Sequence, residues 1–312
     1  MFKLSIIIPM YCEEQIIHEC YERITKVVNS LEKYSYELIF IDDGSYDNTL
    51  SILKELASQN NCIKIISFAR NFGHQCAVTA GLKVSKGDVV AIIDADLQDP
   101  PECIPEMLKL WENGYEVVYA KRISREGETF FKLITAKLFY KLLQSVTKIN
   151  IPQDTGDFRI IDRKVVNVIN NLSEHNKFLR GLFSWVGFKQ IAYEYQRQSR
   201  YAGTTKYSLK KMTKFAFDGI IGFSDILLKL IGLSGILGIL LSFILLAIGF
   251  YFYIYAIQIV DLKFLFILII LIISCSSNLI ALWIISEYII RIYDESRARP
   301  QYVINETINF KE

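Results

Sequence analysis

The sequence predicts an α/β domain built on a mostly parallel sheet, followed by a pair of membrane-spanning helices. Three observations predict this class. Short apolar runs rich in β-formers alternate with helical stretches over the first 120 residues. Polar residues gather where those runs end. Charge nearly vanishes between residues 226 and 290, which hold only Lys229, Asp261, Lys263 and Glu287, so the excess apolar content sits in one block.

The expected strands are Leu4–Pro9, Leu38–Asp42, Ile63–Phe68, Val89–Asp94 and Glu116–Ala120. They are predominantly apolar rather than strictly alternating, the pattern of strands covered on both faces. Between them Glu13–Leu31, Asp47–Ser58, His74–Val84 and Pro101–Glu112 read as helices, several opened by acidic residues or proline. Open sheets of this kind bind ligands at the carboxyl ends of their strands. The polar clusters fall there: Pro9 to Glu13, Asp42 to Ser45, Arg70 to Gly73 and Asp94 to Gln98. No glycine fingerprint for dinucleotides follows the first strand, and no Walker A sequence occurs, which argues against hydride transfer and P-loop phosphoryl transfer. The N-terminus reads as a strand rather than a signal peptide.

Beyond this domain, Leu230–Ile257 and Phe264–Ile285 are apolar runs of 28 and 22 residues. As helices they would measure about 42 and 33 Å, enough to cross a hydrocarbon layer of about 30 Å. Only Gln258–Lys263 separates them, so a tight antiparallel hairpin is expected. Lysine and arginine flank the pair on both sides (Arg197 to Lys214 before it; Arg291, Arg297 and Arg299 after it). The positive-inside rule then places both flanks in the cytoplasm. Two stretches, 130–149 and 206–228, look like amphipathic helices at the membrane surface; for the first, an ordinary core helix is the competing reading. The expected organisation is a cytoplasmic catalytic domain over 1–205, an interfacial helix over 206–228, two spans within 229–290 (about 230–257 and 264–286) and a cytoplasmic tail over 291–312.

Composition excludes other classes. The 312 residues carry 35 Lys+Arg against 33 Asp+Glu, a formal charge of +2, so nothing marks a nucleic-acid binder. Mean hydropathy is +0.26. Six scattered cysteines with no CxxC pair argue against a zinc site or a disulfide framework and fit reduced thiols facing a cytosol.

The chemistry-bearing segment is DADLQDPPE, residues 94–102, directly after an apolar strand. Asp94 and Asp96 are two residues apart, and Gln98 adds a further oxygen. Oxygen ligands of this kind suit Mg²⁺ or Mn²⁺ bridging to a diphosphate.

The ordered set of motifs resembles the family 2 glycosyltransferases of GT-A fold, a Rossmann-like, mostly parallel sheet. It resembles more narrowly the membrane-anchored polyprenyl-phosphate glycosyltransferases, which include the bactoprenol glucosyltransferases and, as relatives, the dolichol-phosphate mannose synthases. The segments that carry the resemblance are IIIPMYCEE, IDDGSYDNT, FARNFGHQCAVTAGL, DADLQDPPE, AKRISREGE, DTGDFRIIDR, NKFLRGLFSWVGF and RYAGTTKYSLKKM, then two apolar helices and RARPQYVI. They span essentially the whole chain.

The resemblance implies inverting transfer of one hexose, glucose from UDP-glucose foremost, to undecaprenyl phosphate at the cytoplasmic face of the inner membrane. GDP-mannose or a UDP-aminosugar are the other donors it allows, and a non-catalytic nucleotide-sugar sensor is the alternative without turnover. It implies a homo-oligomer, with a tetramer as one form. It assigns the nucleotide to Pro9, Tyr11, Glu13 and Asp42 or Asp43, with Arg70 beside the base or ribose. Asp42 and Asp43 have a competing role as caps of an Asx turn. Asp94 falls where the family contacts ribose and metal-bound water, and Asp96 and Gln98 where it ligates the metal. Asp157 matches the acidic position treated as catalytic, where a carboxylate stabilises a developing oxocarbenium ion or orients the nucleophile; pairing with Arg159 or Arg163 is the structural alternative. Arg122 and Arg125 lie on the expected acceptor loop, and Arg200 and Lys206 flank a Gly-Thr-Thr turn. Such cations are needed because two unit charges 4 Å apart repel by about 4 kcal/mol at an effective dielectric of 20. The absence of QxxRW and of further apolar helices sets the chain apart from processive polysaccharide synthases. His74 remains unassigned, between a donor-phosphate contact and a helix-start hydrogen bond.

Overall fold

A computed structural model of the chain describes residues 1–123, 155–174, 177–196 and 260–310, together with Pro152 and the helical positions Leu233, Leu237, Leu240, Ile244 and Ala247. Arg125, Arg200, Lys206, both amphipathic stretches, the inter-helix loop up to Ile259 and most of the first apolar run lie outside the described residues. The chain forms two compact units, residues 1–219 with 300–312, and residues 220–299.

The first unit alternates as the sequence predicts over its first half. Strand β1 (Phe2–Met10) leads to α1 (Ile17–Asn29), β2 (Tyr34–Asp42), α2 (Thr49–Gln59), β3 (Ile63–Phe68), α3 (His74–Val84), β4 (Val89–Ile92) and α4 (Ile104–Glu112), the last entered through a 3-10 turn at Pro101–Cys103. β5 (Val117–Arg122), β6 (Thr155–Asp162), α5 (Arg163–Asn171), α6 (Leu179–Trp185) and β7 (Gln190–Tyr195) follow. The sheet has eight strands in the order β7-β5-β6-β4-β1-β2-β3-β8 among the described residues. β1 pairs in parallel with β2 and β4, and β2 with β3. Its core strands read as Ile6, Ile7 and Ile8 in β1 and Leu38, Ile39, Phe40 and Ile41 in β2, all fully buried.

Two features add to the expected mostly parallel sheet. β6 inserts between β4 and β5 and runs antiparallel to both, so the β7-β5-β6-β4 half of the sheet is mixed. The expected tail over 291–312 is not a separate segment. Helix α7 (Val260–Arg297) continues through the first part of it, and it begins inside the expected inter-helix loop rather than at residue 264. Residues Ile304–Ile308 then form β8, antiparallel to the edge strand β3. Asn309 donates to the carbonyls of Ala57 and Ile63 at 2.9 Å each, and Tyr302 stacks on Phe68 at 4.9 Å between ring centroids. Covering an open edge with the chain's own segment removes a template for intermolecular strand pairing.

In the second unit, Ile273–Arg297 of α7 is long and apolar enough to cross a membrane by length and composition, with mean hydropathy 1.5. The five described positions of the first apolar run are helical and exposed.

Away from the strand ends that carry the polar clusters, Glu37 is buried at 2 % exposure. It accepts from Ser5 Oγ (2.6 Å), Lys64 Nζ (2.7 Å) and the Lys86 amide (2.7 Å), with Lys3 Nζ at 2.9 Å. Burial favours the neutral acid, but these donors, Lys64 first, outweigh it and hold the pKa at about 2 against an ordinary 4.5. The folded pKa is depressed, so the stabilisation is complete above pH 4.5 and is lost as pH falls from 4.5 through 2. Urea unfolding of the detergent-solubilised chain should show Glu37→Gln destabilised by about 2–3 kcal/mol at pH 7, a gap that closes toward pH 2. A gap independent of pH would contradict the charge-based account.

Candidate active site

The site lies at the carboxyl ends of β1, β2, β4 and β5, where the apolar strands give way to polar loops. The loop after β1 and the loop after β2 are stitched together: the Cys12 amide donates to Ser45 Oγ and the Glu13 amide to Thr49 Oγ1, each at 2.9 Å. Gly44 has φ +68°, and a Cβ there would lie 2.4 Å from the Arg70 carbonyl carbon. The β2 loop therefore packs directly on the backbone of the Arg70 loop, which only glycine permits.

Asp42 and Asp43 are nearly fully buried and used by the protein itself. Asp42 accepts from the Ser45 amide (3.1 Å) and from Ser67 Oγ (2.9 Å). Asp43 accepts from the amides of Phe72 (2.7 Å) and Gly73 (2.9 Å) and from Asn71 Nδ2 (2.9 Å). The Asx-turn role weighed in the sequence fits Asp42, which accepts the Ser45 amide, whereas Asp43 reaches across to fix the loop that starts α3. Pro9 is buried within β1 opposite Ile41. Tyr11 and Glu13 are half-buried, the Tyr11 ring edge-on to Tyr46 at 6.2 Å. Arg70 is exposed, its guanidinium 3.9 Å over the Phe72 ring.

After β4, burial alternates: Asp94, Asp96 and Gln98 are half-buried while Ala95, Leu97 and Asp99 are buried. This puts the three oxygen-bearing side chains on the open side. Leu97 adopts φ +54°, bending the segment, and Asp96 Oδ1 accepts the Gln98 amide at 3.1 Å. Asp94 Oδ1 is buried without a hydrogen-bond partner. Two carboxylates, one of them with an orphaned oxygen, and an amide oxygen are a donor set that fits a hard divalent cation keeping water and diphosphate ligands. No cluster of three His, Cys, Asp or Glu side chains that could hold a metal by themselves occurs among the described residues.

Asp157 lies on β6, 8 % exposed. Neither Arg163 nor the Arg159 guanidinium takes its carboxylate. Arg159 Nε donates instead to the Asp157 backbone carbonyl at 3.2 Å, and Arg163 Nε to the carbonyl of Gly87. The partner is Arg180 on α6, which makes a bidentate pair with Asp157 at 2.7 and 3.0 Å. His74, the first residue of α3, brings Nε2 to 3.1 Å from Asp157 Oδ2 and 3.6 Å from Asp94 Oδ1. Nε2 makes no directed hydrogen bond to either oxygen, so it acts as a charge contact. Burial works against the imidazolium, but Asp94 and Asp157 outweigh it and raise its pKa to about 9. Burial pushes Asp94 upward, only partly offset by His74. Asp157 is also buried, yet Arg180 and His74 together hold it well below the usual carboxylate range. His74 thus links the candidate metal segment to the candidate catalytic carboxylate.

Residues 5–169 match the family described as "Glycosyl transferase family 2". An uncharacterized glycosyltransferase of Bacillus subtilis (strain 168), YkcC, is 49 % identical over 97 % of this chain and 93 % of its own. The chain belongs to glycosyl transferase family 2. It is a glycosyltransferase of GT-A fold, as the α/β sheet and the motif order lead one to expect. The bactoprenol glucosyl transferase of Shigella phage SfV is 36 % identical over 97 % of this chain and 98 % of its own. Among solved structures, glucosyl-3-phosphoglycerate synthase from Mycobacterium tuberculosis, in complex with Mn²⁺, UDP-glucose and phosphoglyceric acid, superposes with a TM-score of 0.48 at 21 % identity, covering 70 % of this chain and 77 % of that one.

The candidate site therefore brings Asp94, Asp157 and His74 together, with Asp96 and Gln98 on the same loop as Asp94. Arg180 was unassigned in the sequence, although it sits in the motif NKFLRGLFSWVGF; no spacing links residues 74, 157 and 180. Arg122, at the end of β5, is held by Tyr195 and Asp99, which the sequence reading also left without a role.

Proposed function

We propose that this glycosyltransferase transfers one hexose, glucose from UDP-glucose, to undecaprenyl phosphate at the cytoplasmic face of the membrane. The observation that carries the reading is the near-full-length likeness to bactoprenol glucosyl transferases together with a doubly paired Asp157.

The pairing bears on the acceptor. A general base works best with a pKa near the working pH, and Asp157 is held far below it by Arg180 and His74. It is suited to stabilising positive charge at the anomeric carbon or to orienting a nucleophile, not to removing a proton. A hydroxyl acceptor would need deprotonation. A phosphomonoester, with a second pKa of about 6, is mostly dianionic at pH 7 and needs only positioning and charge shielding.

In the proposed step a lipid-phosphate oxygen forms the new bond to the anomeric carbon from the face opposite the leaving group, and the bond between that carbon and the UDP oxygen breaks. Asp96 and Gln98, with Asp94 beside them, would hold Mg²⁺ or Mn²⁺, which neutralises charge on the departing diphosphate. Tyr11, Glu13, Arg70 and the stitched loops they sit on would receive the nucleoside, with Asp42 and Asp43 shaping that pocket through the bonds above. Arg122 would shield phosphate charge, as would Arg125, Arg200 and Lys206, and the apolar helices would bring the lipid to the site.

The test is glycolipid formation by the purified full chain in detergent with UDP-glucose, divalent cation and undecaprenyl phosphate, compared with undecaprenol. Transfer to the phosphate and not to the alcohol is expected; equal transfer to both would overturn the account of Asp157.

A further inference from the structure

Arg122 is anchored in an unusual way for a cation. It is the last residue of β5, directly opposite Tyr195, the last residue of the parallel strand β7. Arg122 Nε donates to the Tyr195 hydroxyl at 3.3 Å, and that hydroxyl donates to Asp99 Oδ1. Arg122 Nη2 lies 3.8 Å from the same Asp99 oxygen. Asp99 is 1 % and Tyr195 4 % exposed, and the Arg122 side chain 16 %. The other wall is β6: a Cβ on Gly156 would lie 2.8 Å from Arg122 Nη2 and 3.4 Å from Asp99 Oδ2. The missing side chain at Gly156 is what lets the guanidinium lie against the strand.

The contrast with Arg180 is informative. Arg180 spends two N–H groups on a bidentate pair with Asp157. Arg122 is tethered at Nε by a neutral phenol and offset from the carboxylate, so its orientation is fixed while its charge is only loosely matched. Gly156, which lies against the Arg122 guanidinium, directly precedes Asp157 on β6, and Asp99 lies on the loop that carries Asp94. The seat therefore adjoins both Asp94 and the Asp157 pair. Asp99 comes from the loop after β4, so the seat and the DADLQ segment share one piece of backbone.

We propose that Tyr195 and Asp99 are positioning residues, and Gly156 the required gap, of a seat that presents the Arg122 guanidinium as a fixed donor to a phosphate oxygen of the acceptor. A planar fork held at one end is preorganised for an oxyanion, whereas a mobile arginine loses rotamer freedom on binding. The inference rests on the proposed transfer to a lipid phosphate.

The experiment is steady-state kinetics with UDP-glucose and undecaprenyl phosphate varied separately, for wild type, Arg122→Ala, Tyr195→Phe, Asp99→Asn, Gly156→Ala and the double variant Arg122→Ala/Tyr195→Phe. Arg122→Ala should lower kcat/KM for the lipid phosphate by roughly 10- to 100-fold, the value of a hydrogen bond to a charged group. Tyr195→Phe, Asp99→Asn and Gly156→Ala should each raise KM for the lipid by several-fold to about tenfold, with the KM for UDP-glucose unchanged. Adding Tyr195→Phe to Arg122→Ala should cost nothing further. A Tyr195→Phe variant that is kinetically wild type while Arg122→Ala is impaired overturns the seat and leaves the transfer reading standing. So does a double variant whose losses multiply. A wild-type enzyme that makes no glycolipid overturns the transfer reading itself.

Discussion

Asp157→Asn is expected to lower kcat by about 10²–10³-fold while UDP-glucose still binds, the scale seen when one preorganised electrostatic group is removed from a transition state. The carboxylate lies between Arg180 and His74, 3.1 Å from the latter. Its neutral isostere keeps the shape and one acceptor but leaves Arg180 without its bidentate counter-charge and His74 with Asp94 alone, 3.6 Å away. Removing one member of a buried charge set also costs stability, about 3–5 kcal/mol at the upper end. Activity is therefore read per folded molecule, with donor binding measured by calorimetry as the control. A variant with near-normal kcat would show that Asp157 only pins α6 to β6. His74→Gln should fall between wild type and Asp157→Asn, because Arg180 still holds the carboxylate.

The second large effect belongs to Asp96. Asp96→Ala should cost several kcal/mol of transition-state stabilisation, roughly 10²–10³-fold in rate, if that side chain helps hold a cation against the departing diphosphate. Rate measured across a Mn²⁺ or Mg²⁺ titration gives the check. The loss should be partly recovered at high metal in Asp96→Asn but not in Asp96→Ala. Full activity and unchanged metal dependence in Asp96→Ala would sink the metal assignment and leave the remaining site intact.

The first half of the fold was legible because its physics is local. β1 to β4 are largely buried on both faces, so each is predominantly apolar despite Ser5, Glu37, Lys64 and Ser67, and His74–Val84 was bounded correctly by the glycine before it and the Ser85 after it. β6 was not read as a strand because its signal is hidden in charge. TGDFRIID carries Asp157 and Arg159, which are buried only because Arg180, His74 and backbone carbonyls satisfy them. β7 is half-exposed and β8 is INETI, short and polar on one face. The place of β8 depends on an edge of β3 more than 200 residues earlier, and no local pattern encodes that.

The site was legible to the same extent. Motif order located Asp94, Asp96, Gln98 and Asp157 at strand ends. It could not supply the Arg180 and His74 that face Asp157, nor the Tyr195 and Asp99 that hold Arg122, since these meet through tertiary packing. It also left open how Asp42 and Asp43 are used, and their bonds to Ser45, Ser67 and the Phe72–Gly73 amides are what decides that they shape the loops.

The most direct test of the central claim is mass spectrometry of the lipid fraction after the purified full chain is incubated with undecaprenyl phosphate, divalent cation and an equimolar mixture of UDP-glucose, UDP-N-acetylglucosamine and GDP-mannose. The account predicts a single product, undecaprenyl phosphate carrying one hexose, traced to UDP-glucose by isotopic label and absent with chelator. A product bearing an aminosugar or a label from GDP-mannose would contradict the donor. No modified lipid at all, with nucleotide sugar bound but unconsumed, would contradict the transfer itself.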